Sequence, residues 1–320
     1  MSDLPAIALQ TTDLVVGYKK ETETIQLFES LSLELRSGEL VCFMGSNGIG
    51  KTTLIKTLAG IHKPLDGKIH RTQEAALVLT DRINSALMTV RDLVTYGRYP
   101  YLDWNLSLTL RDSQIIDAAI QQVRLEHIID KRLVELSDGQ IQMAMIAKAL
   151  AQDTTVLLLD EPTAHLDLNN RVEIMNLLRS LSRNAGKTIL VATHELDLAL
   201  QTADRIWLAT PDKKIVEGIP EDLVLNGTFD DVFQFKGFDL KTGKMTHTPY
   251  RNISVQLMGS GYEYLWTKNA LERSGYEFRQ EAPIRINVRA LDNGFVWTLF
   301  MDSKEFTYSA VSQLLKKLSD

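Results

Sequence analysis

The sequence predicts an α/β core carrying a helical insertion, followed by a small α+β domain, and three observations carry that expectation. Short, wholly apolar runs bounded by Gly, Asp or polar turns recur at Leu40 to Met44, Leu77 to Leu79, Val156 to Leu159 and Thr188 to Ala192. Runs of this length without alternation suit parallel strands covered on both faces. Helical stretches separate them, as in α/β folds. Beyond about Gly237 the character changes, and Ile284 to Arg289 alternates strictly, as in a sheet wet on one side.

Taken in order, the first apolar strand runs into a Gly-rich loop, and a helical stretch follows Lys51. The strand at Ala75 to Leu79 comes next. From about Thr89 to Leu133 the sequence is mainly helical, which predicts a helical subdomain inserted into the core. Within it, Ser113 to Leu125 places Ile116, Ala119, Ile120 and Val123 at spacings of three and four on one face. Gln140 to Leu150 is almost entirely apolar after its polar start and is expected to be buried.

Lys241, Thr242, Gly243, Lys244 and Pro249 read as a linker. The expected boundaries are therefore a first domain over 1–237 and an accessory α+β domain over 250–320. In the second, Ile253 to Met258 reads as a strand and the stretch around Glu263 to Arg273 as a helix. Ile284 to Arg289 alternates, Asp292-Asn293-Gly294 reads as a hairpin turn, and Phe295 to Phe300 runs back. A last helix holds Val311, Leu314, Leu315 and Leu318, giving a β-α-β-β-α unit whose polar strand face carries Arg285, Asn287 and Arg289.

Composition narrows the function classes. A length of 320 residues suggests about two domains, large enough to bury a core without disulfides or metals. With 35 Lys and Arg against 41 Asp and Glu, the net charge is −6, which argues against a protein that coats nucleic acid. The single cysteine, Cys42, excludes an intramolecular disulfide, fits a reducing compartment, and reads as a small buried hydrophobe. No apolar run of about 18 residues is present, and Met1, Ser2 and Asp3 lack the layout of a signal peptide. The expectation is a chain that neither spans a membrane nor is exported by that route.

The chemistry-bearing motif is Gly45-Ser46-Asn47-Gly48-Ile49-Gly50-Lys51-Thr52, followed by Thr53, between a predicted strand and a predicted helix. Its spacing is that of a phosphate-binding loop. Glycines let successive N–H groups turn toward phosphate oxygens, the helix N-terminus adds its positive end, and Lys51 reaches the β and γ phosphates. The Thr52 hydroxyl can bind magnesium. Val156 to Leu159 ends in Asp160-Glu161, where one carboxylate can hold magnesium and the next can polarise an attacking water. Thr188 to Ala192 ends in Thr193-His194, which places a histidine at a strand end beside the same crevice.

Leu136-Ser137-Asp138-Gly139-Gln140 resembles the LSGGQ signature of ABC-type ATPases. Around it stand, in order, Tyr18 in Val16-Gly17-Tyr18, the phosphate loop, the signature, Asp160-Glu161-Pro162, Ala164-His165-Leu166-Asp167 and His194. The resemblance covers about residues 10 to 235. It implies a phosphate-loop NTPase core that uses ATP and Mg2+, with Tyr18 stacking on adenine and Glu161 acting as general base. It also implies that His194 holds the γ phosphate and the water. Ser137, Gly139 and Gln140 would close on ATP bound to the other subunit of a head-to-tail homodimer, and Asp167 would help organise that seam.

Gly97-Arg98-Tyr99-Pro100 after Thr89-Val90-Arg91-Asp92-Leu93, with His194 to Ala199, resembles the iron-siderophore, haem and vitamin B12 importer branch. That branch implies a peripheral ATPase on the cytoplasmic face of the membrane, docked on permease subunits and acting indirectly with a substrate-binding protein, with no nucleic acid. ABC ATPases that act on ribosomes or DNA, and exporter subunits, are the alternatives. Arg91 and Arg98 could face a permease or simply solvent.

Two positions depart from the family pattern. Leu79-Thr80-Asp81-Arg82 lacks the glutamine expected after that strand, so Asp81 or Thr80 supplies an oxygen to magnesium, or neither does. Asp138 replaces the first glycine of the signature and puts a carboxylate near a γ phosphate, unfavourable unless it points away or meets a cation. The C-terminal region shows no nucleophile triad or metal cluster and reads as a dimerisation or regulatory module or as a passive appendage.

Overall fold

The structure, a computed structural model, describes residues 5–19, 23–80, 85–245, 247–291 and 294–319. They separate into two compact units, one running to Gln234 and the other starting at Phe235.

The first unit opens with antiparallel strands that the sequence reading did not resolve. β1 (Ile7–Lys19) pairs with β2 (Thr24–Leu31), β3 (Glu34–Arg36) and β5 (Asp66–Arg71). Register shifts fall around Leu14, Val16 and Gly17 in β1. A Cβ on Gly17 would lie 2.1 Å from the Ile25 carbonyl oxygen, so glycine is what lets β2 approach here and carry Tyr18 alongside Ile25.

The second sheet is the α/β core. Its order is β10-β9-β4-β8-β7-β6, with β4 (Leu40–Met44), β6 (Ala75–Val78), β7 (Val156–Asp160), β8 (Thr188–Ala192) and β9 (Arg205–Ala209) parallel. β10 (Ile215–Gly218) closes one edge antiparallel. Every residue of β4, β7 and β8 is buried, including the polar ends Asp160 and Thr188. Helix α1 (Lys51–Leu58) inserts Leu54 and Ile55 into the core formed with Leu9, Leu35, Leu158 and Trp207. Phe43 links the layers, its ring 6.1 Å from Phe28 and 6.5 Å from Trp207.

Between β6 and β7 the chain is helical, with α2 (Val90–Thr95), a 3-10 turn at Tyr96–Tyr101, α3 (Leu110–Gln122) and α4 (Asp138–Leu150). α4 covers the helix expected from Gln140 to Leu150 and starts two residues earlier. Helix α3 starts three residues before the expected Ser113 because Thr109 and Asp112 form a capping box, an arrangement worth about 1 kcal/mol. Ile116, Ala119 and Ile120 are its buried face, as their spacing predicts.

The structure corrects the placement of Arg98 as a rim residue. Its Nε donates to Asp112 Oδ1 at 2.8 Å and its NH1 donates to the Ala151 carbonyl at 3.1 Å, all buried. Neighbouring Gly97 packs so closely that a Cβ would lie 2.2 Å from the Lys148 carbonyl oxygen. The Gly97-Arg98 pair therefore clamps the C-terminal end of α4. Arg91 is the exposed member of the two, paired with Asp117 at 2.7 Å.

Helices α5 (Leu168–Ala185), α6 (Leu196–Thr202), α7 (Pro220–Leu225) and α8 (Thr228–Phe233) complete the unit. α5 ends at Gly186, whose φ of 64° supplies the left-handed turn.

The second unit begins with the short pair β11 (Phe238–Asp239) and β12 (Lys244–Met245). Its main sheet has the order β14-β13-β15-β16-β17, from β13 (Ser254–Met258), β14 (Glu277–Phe278), β15 (Ile284–Leu291), β16 (Gly294–Met301) and β17 (Lys304–Tyr308). Helices α9 (Gly261–Arg273) and α10 (Val311–Ser319) accompany it. Val255, Leu271, Ile286, Trp297, Leu299 and Leu314 form a core of its own. Trp297 Nε1 donates to Thr267 Oγ1 at 2.6 Å, satisfying the one polar atom of the buried indole. Arg285 and Arg289 are exposed on the alternate strand positions, as expected. β14 and β17 are strands the sequence reading lacked, and the expected turn residues Asp292 and Asn293 lie outside the described residues.

Candidate functional site

The loop between β4 and α1 wraps around the helix N-terminus. Gly48 and Gly50 have φ of 78° and 111°, backbone that L side chains rarely adopt. A Cβ on Gly45 would lie 2.9 Å from Ala209 Cβ, and one on Gly50 3.0 Å from Leu27 Cδ1, so space as well as torsion selects glycine. Lys51 folds back along the loop, donating to the Gly45 carbonyl at 3.0 Å and the Ser46 carbonyl at 3.3 Å. Burial lowers the pKa of its ammonium, while Glu161 and Asp160 pull it back up. The cation is thus held in a partly desolvated place by two carboxylates.

A cleft of about 270 Å³ lies over this loop. Tyr18, Asn47, Gly48, Gly50, Lys51, Thr52, Thr53 and Glu161 line it, together with Leu27, which sequence reasoning missed. Tyr18, far away in sequence, reaches this cleft through the β1–β2 pairing. Gly45, Ser46 and Ile49 are not among the lining residues; the Ile49 N–H instead donates to the Ser46 carbonyl at 3.4 Å, closing the loop on itself.

Asp160 ends β7. Burial raises its pKa, opposed first by a hydrogen bond from the Thr52 side chain. Its Oδ1 is buried without a hydrogen-bond partner, and Thr80 Oγ1 donates to its backbone carbonyl at 2.9 Å. A hydroxyl beside a carboxylate with a free buried oxygen is a donor set that suits magnesium, a hard cation that prefers oxygen. Among the described residues no three His, Cys, Asp or Glu side chains cluster as a metal site. Asp81, the other expected metal ligand, lies outside the described residues.

Glu161 follows with φ of 48°, its N–H donating to the Ala192 carbonyl at 2.9 Å. His194, past the end of adjacent β8, places Nδ1 3.6 Å from Glu161 Oε2 and Nε2 3.4 Å from Glu195 Oε1. Glu195 is anchored by Arg171 NH1 at 2.8 Å, and Arg171 Nε also donates to the Leu166 carbonyl at 2.6 Å. Arg171 and Glu195 thereby tie the Asp167 loop to His194. Sequence reasoning missed both; the one available signal was an arginine one helical turn after Asp167.

Ser137, Gly139, Gln140 and Asp167 are not among the residues lining the cleft. Ser137 caps α4, its Oγ accepting from the Gln140 N–H while Gln140 Oε1 accepts from the Ser137 N–H. Gln140 therefore rigidifies the start of α4. Asp167 caps α5 without that reciprocity, its carboxylate accepting from both the backbone N–H and the side-chain amide of Asn170.

A phosphate loop, a carboxylate pair at the next strand end and a histidine beside it define a phosphate-loop ATPase. The chain matches the ABC transporter family over residues 28–164 and the iron ABC transporter C-terminal domain over residues 252–319. It is 39% identical to an uncharacterized ABC transporter ATP-binding protein of Methanocaldococcus jannaschii, over 71% of this chain and 82% of that one. It is 32% identical to the iron(3+)-hydroxamate import ATP-binding protein of Bacillus subtilis, over 76% and 93%. A solved transporter assigned to the metal-chelate type of ABC transporter, in an inward-facing conformation, superposes with a TM-score of 0.66 at 28% identity, covering 72% of this chain and 90% of that one. The chain belongs to the ABC transporter ATP-binding proteins, a family of ATPases.

Proposed function

We propose that this chain is the ATP-binding and hydrolysing subunit of an importer for ferric siderophores or related iron chelates. The observation that carries the reading is the pairing, in one chain, of the ATP cleft with a C-terminal unit matching the iron ABC transporter C-terminal domain. The import relative named above points the same way.

In this reading Tyr18 stacks on the adenine, and the loop amides with Lys51 hold the phosphates. Thr52 and Asp160 would hold magnesium, which would supply charge neutralisation to the phosphates when bound with the nucleotide. Glu161 orients and deprotonates the attacking water, and His194 steadies that water and the γ phosphate. Ser137, Gly139, Gln140 and Asp167 face a second copy in a head-to-tail homodimer, where α4 presents its N-terminus to the partner's nucleotide. ATP contacting both copies only when they close makes nucleotide a population shift toward the closed dimer.

No helix among the described residues is long and apolar enough to cross a membrane. In this reading force passes to separate permease subunits at the cytoplasmic face, with a substrate-binding protein acting through them. The helical segment offers apolar side chains for such a contact: Tyr99, Tyr101, Trp104, Leu106 and Leu110 are exposed, Trp104 at 96%.

Affinity purification of the tagged chain from gently solubilised membranes tests the reading. A co-purifying many-span permease is expected, with ATP turnover retained. Recovery of ribosomes, or of no membrane protein from an active preparation, would remove the transporter role and leave the ATPase site standing.

A further inference from the structure

Helix α4 is clamped at its C-terminal end by Gly97 and Arg98, and its N-terminal end meets α5 closely at Gly139. Gly139, the second residue of α4, has no left-handed backbone to require glycine. The demand comes from outside: a Cβ there would lie 2.6 Å from Asn170 Oδ1 and 2.7 Å from Asn170 Cγ. The Asn170 amide cannot easily give way, because Nδ2 donates to Asp167 Oδ2 at 3.0 Å while its backbone N–H donates to Asp167 Oδ1 at 2.9 Å.

Farther along, the two helices part. A cleft of about 360 Å³ opens between them, lined by Met143 of α4 and by Val172, Glu173, Asn176 and Leu177 of α5, with Arg124 beyond α3. The pinned amide therefore stands at one edge of an open seam. It joins the loop that carries Asp167 to the helix that carries Ser137 and Gly139.

We propose that Asn170 is a positioning residue, a strut that sets the N-terminal end of α4 at a fixed distance from the Asp167 loop; its consequence for turnover rests on the ATPase reading above. Side-chain loss at Asn170 leaves the backbone N–H to Asp167 intact, so the cap of α5 survives and the strut alone is removed. The bulk at the two positions is reciprocal: a larger residue at 139 is tolerated only when 170 is smaller.

The test uses the full chain and two readouts. Hydrogen exchange without nucleotide should rise about tenfold in the first turns of α4 in Asn170→Ala, with α1 unchanged. Steady-state turnover should show kcat down about tenfold with KM for ATP within about twofold of wild type. Gly139→Ala should raise exchange there at least as far, and adding Asn170→Ala to it should return exchange to the Asn170→Ala level. Unchanged exchange in α4, or increases from the two substitutions that simply multiply, would overturn the strut. A wild-type chain without ATP turnover would overturn the ATPase reading instead, and the exchange arm would still decide the strut.

Discussion

His194 and Glu161 stand at the ends of neighbouring parallel strands with Nδ1 3.6 Å from Oε2, and Glu195 approaches the other ring nitrogen at 3.4 Å. The register that pairs Asp160 with Ala192 creates this meeting, since it brings the two residues that follow each strand to one edge. The imidazole thus lies between two carboxylates at contact distances beyond a good hydrogen bond, with Glu161 at the mouth of the cleft.

Glu161→Gln keeps shape and removes the base. ATP affinity should stay within about twofold, while phosphate release falls by roughly 10² or more. Equilibrium binding of labelled ATP and a phosphate-release assay measure the two. Turnover near the wild-type rate would take Glu161 out of the chemistry.

Arg171→Ala frees Glu195 from its 2.8 Å anchor and should let the His194 ring wander. We expect kcat to drop about tenfold with KM nearly unchanged, and His194→Ala to cost about 10² to 10³. The double variant should be no worse than His194→Ala alone, because Arg171 acts through that ring. Multiplying losses would show that Arg171 works by another route.

Asp160 carries a charge that burial opposes. Its pKa is raised in the fold, so between the ordinary carboxylate value of 3.8 and the raised one the folded chain holds more protons than the unfolded. Stability therefore falls as pH rises through that window, and at neutral pH the ionised group is a standing cost. Asp160→Asn should raise the melting temperature of the nucleotide-free chain by a few degrees at pH 7.5, with the gain fading below pH 4. Magnesium-dependent turnover should fall by roughly 10² or more. A lower melting temperature at pH 7.5 would contradict the desolvation argument.

How much of this was legible in the sequence follows from where each signal resides. The phosphate loop, Asp160, Glu161 and His194 were readable because short spacing and fully buried strands leave few ways to place them. Arg171 and Asn170 were not, since each looks like an ordinary polar residue on a helix and gains its role from partners far along the fold. β1 escaped because its register shifts near Leu14 and Val16 break the alternation a half-wet strand should show. β17 escaped for a different reason: Asp302 and Ser303 turn the chain with φ of 52° and 62°, without the glycine that usually marks such a turn. Arg98 was misread because its partner, Asp112, is supplied by the N-terminus of another helix.

Cys42 sits in the middle of β4 with no exposed surface. Burial, with a smaller contribution from Asp204, pushes its thiol up to about 12. Thiolate is the reactive form, so Ellman's reagent at pH 8 should release no thiol equivalent from the folded chain and one from the chain in guanidinium. Rapid reaction without denaturant would place Cys42 outside a closed core.

The pair at the far end of α4 gives the last expectation. Asp112 accepts from the Thr109 hydroxyl and N–H and from Arg98, and these bonds lower its carboxyl pKa to about 2, the Thr109 bonds counting most. A carboxyl depressed in the fold stabilises it fully above the unfolded value of 3.8 and loses that contribution as pH falls toward 2. Asp112→Asn should therefore melt several degrees below wild type at pH 7, with the gap narrowing between about pH 4 and pH 2. Arg98→Met should also lower the melting temperature, leaving the Ala151 carbonyl without its donor while the Thr109 cap remains. Its gap from wild type should narrow less on acidification, because the strongest contributions to the Asp112 shift survive in it. Calorimetry of the three chains across that range measures both slopes, and a gap for Asp112→Asn that widens toward low pH would show that the pair does not hold Asp112 ionised.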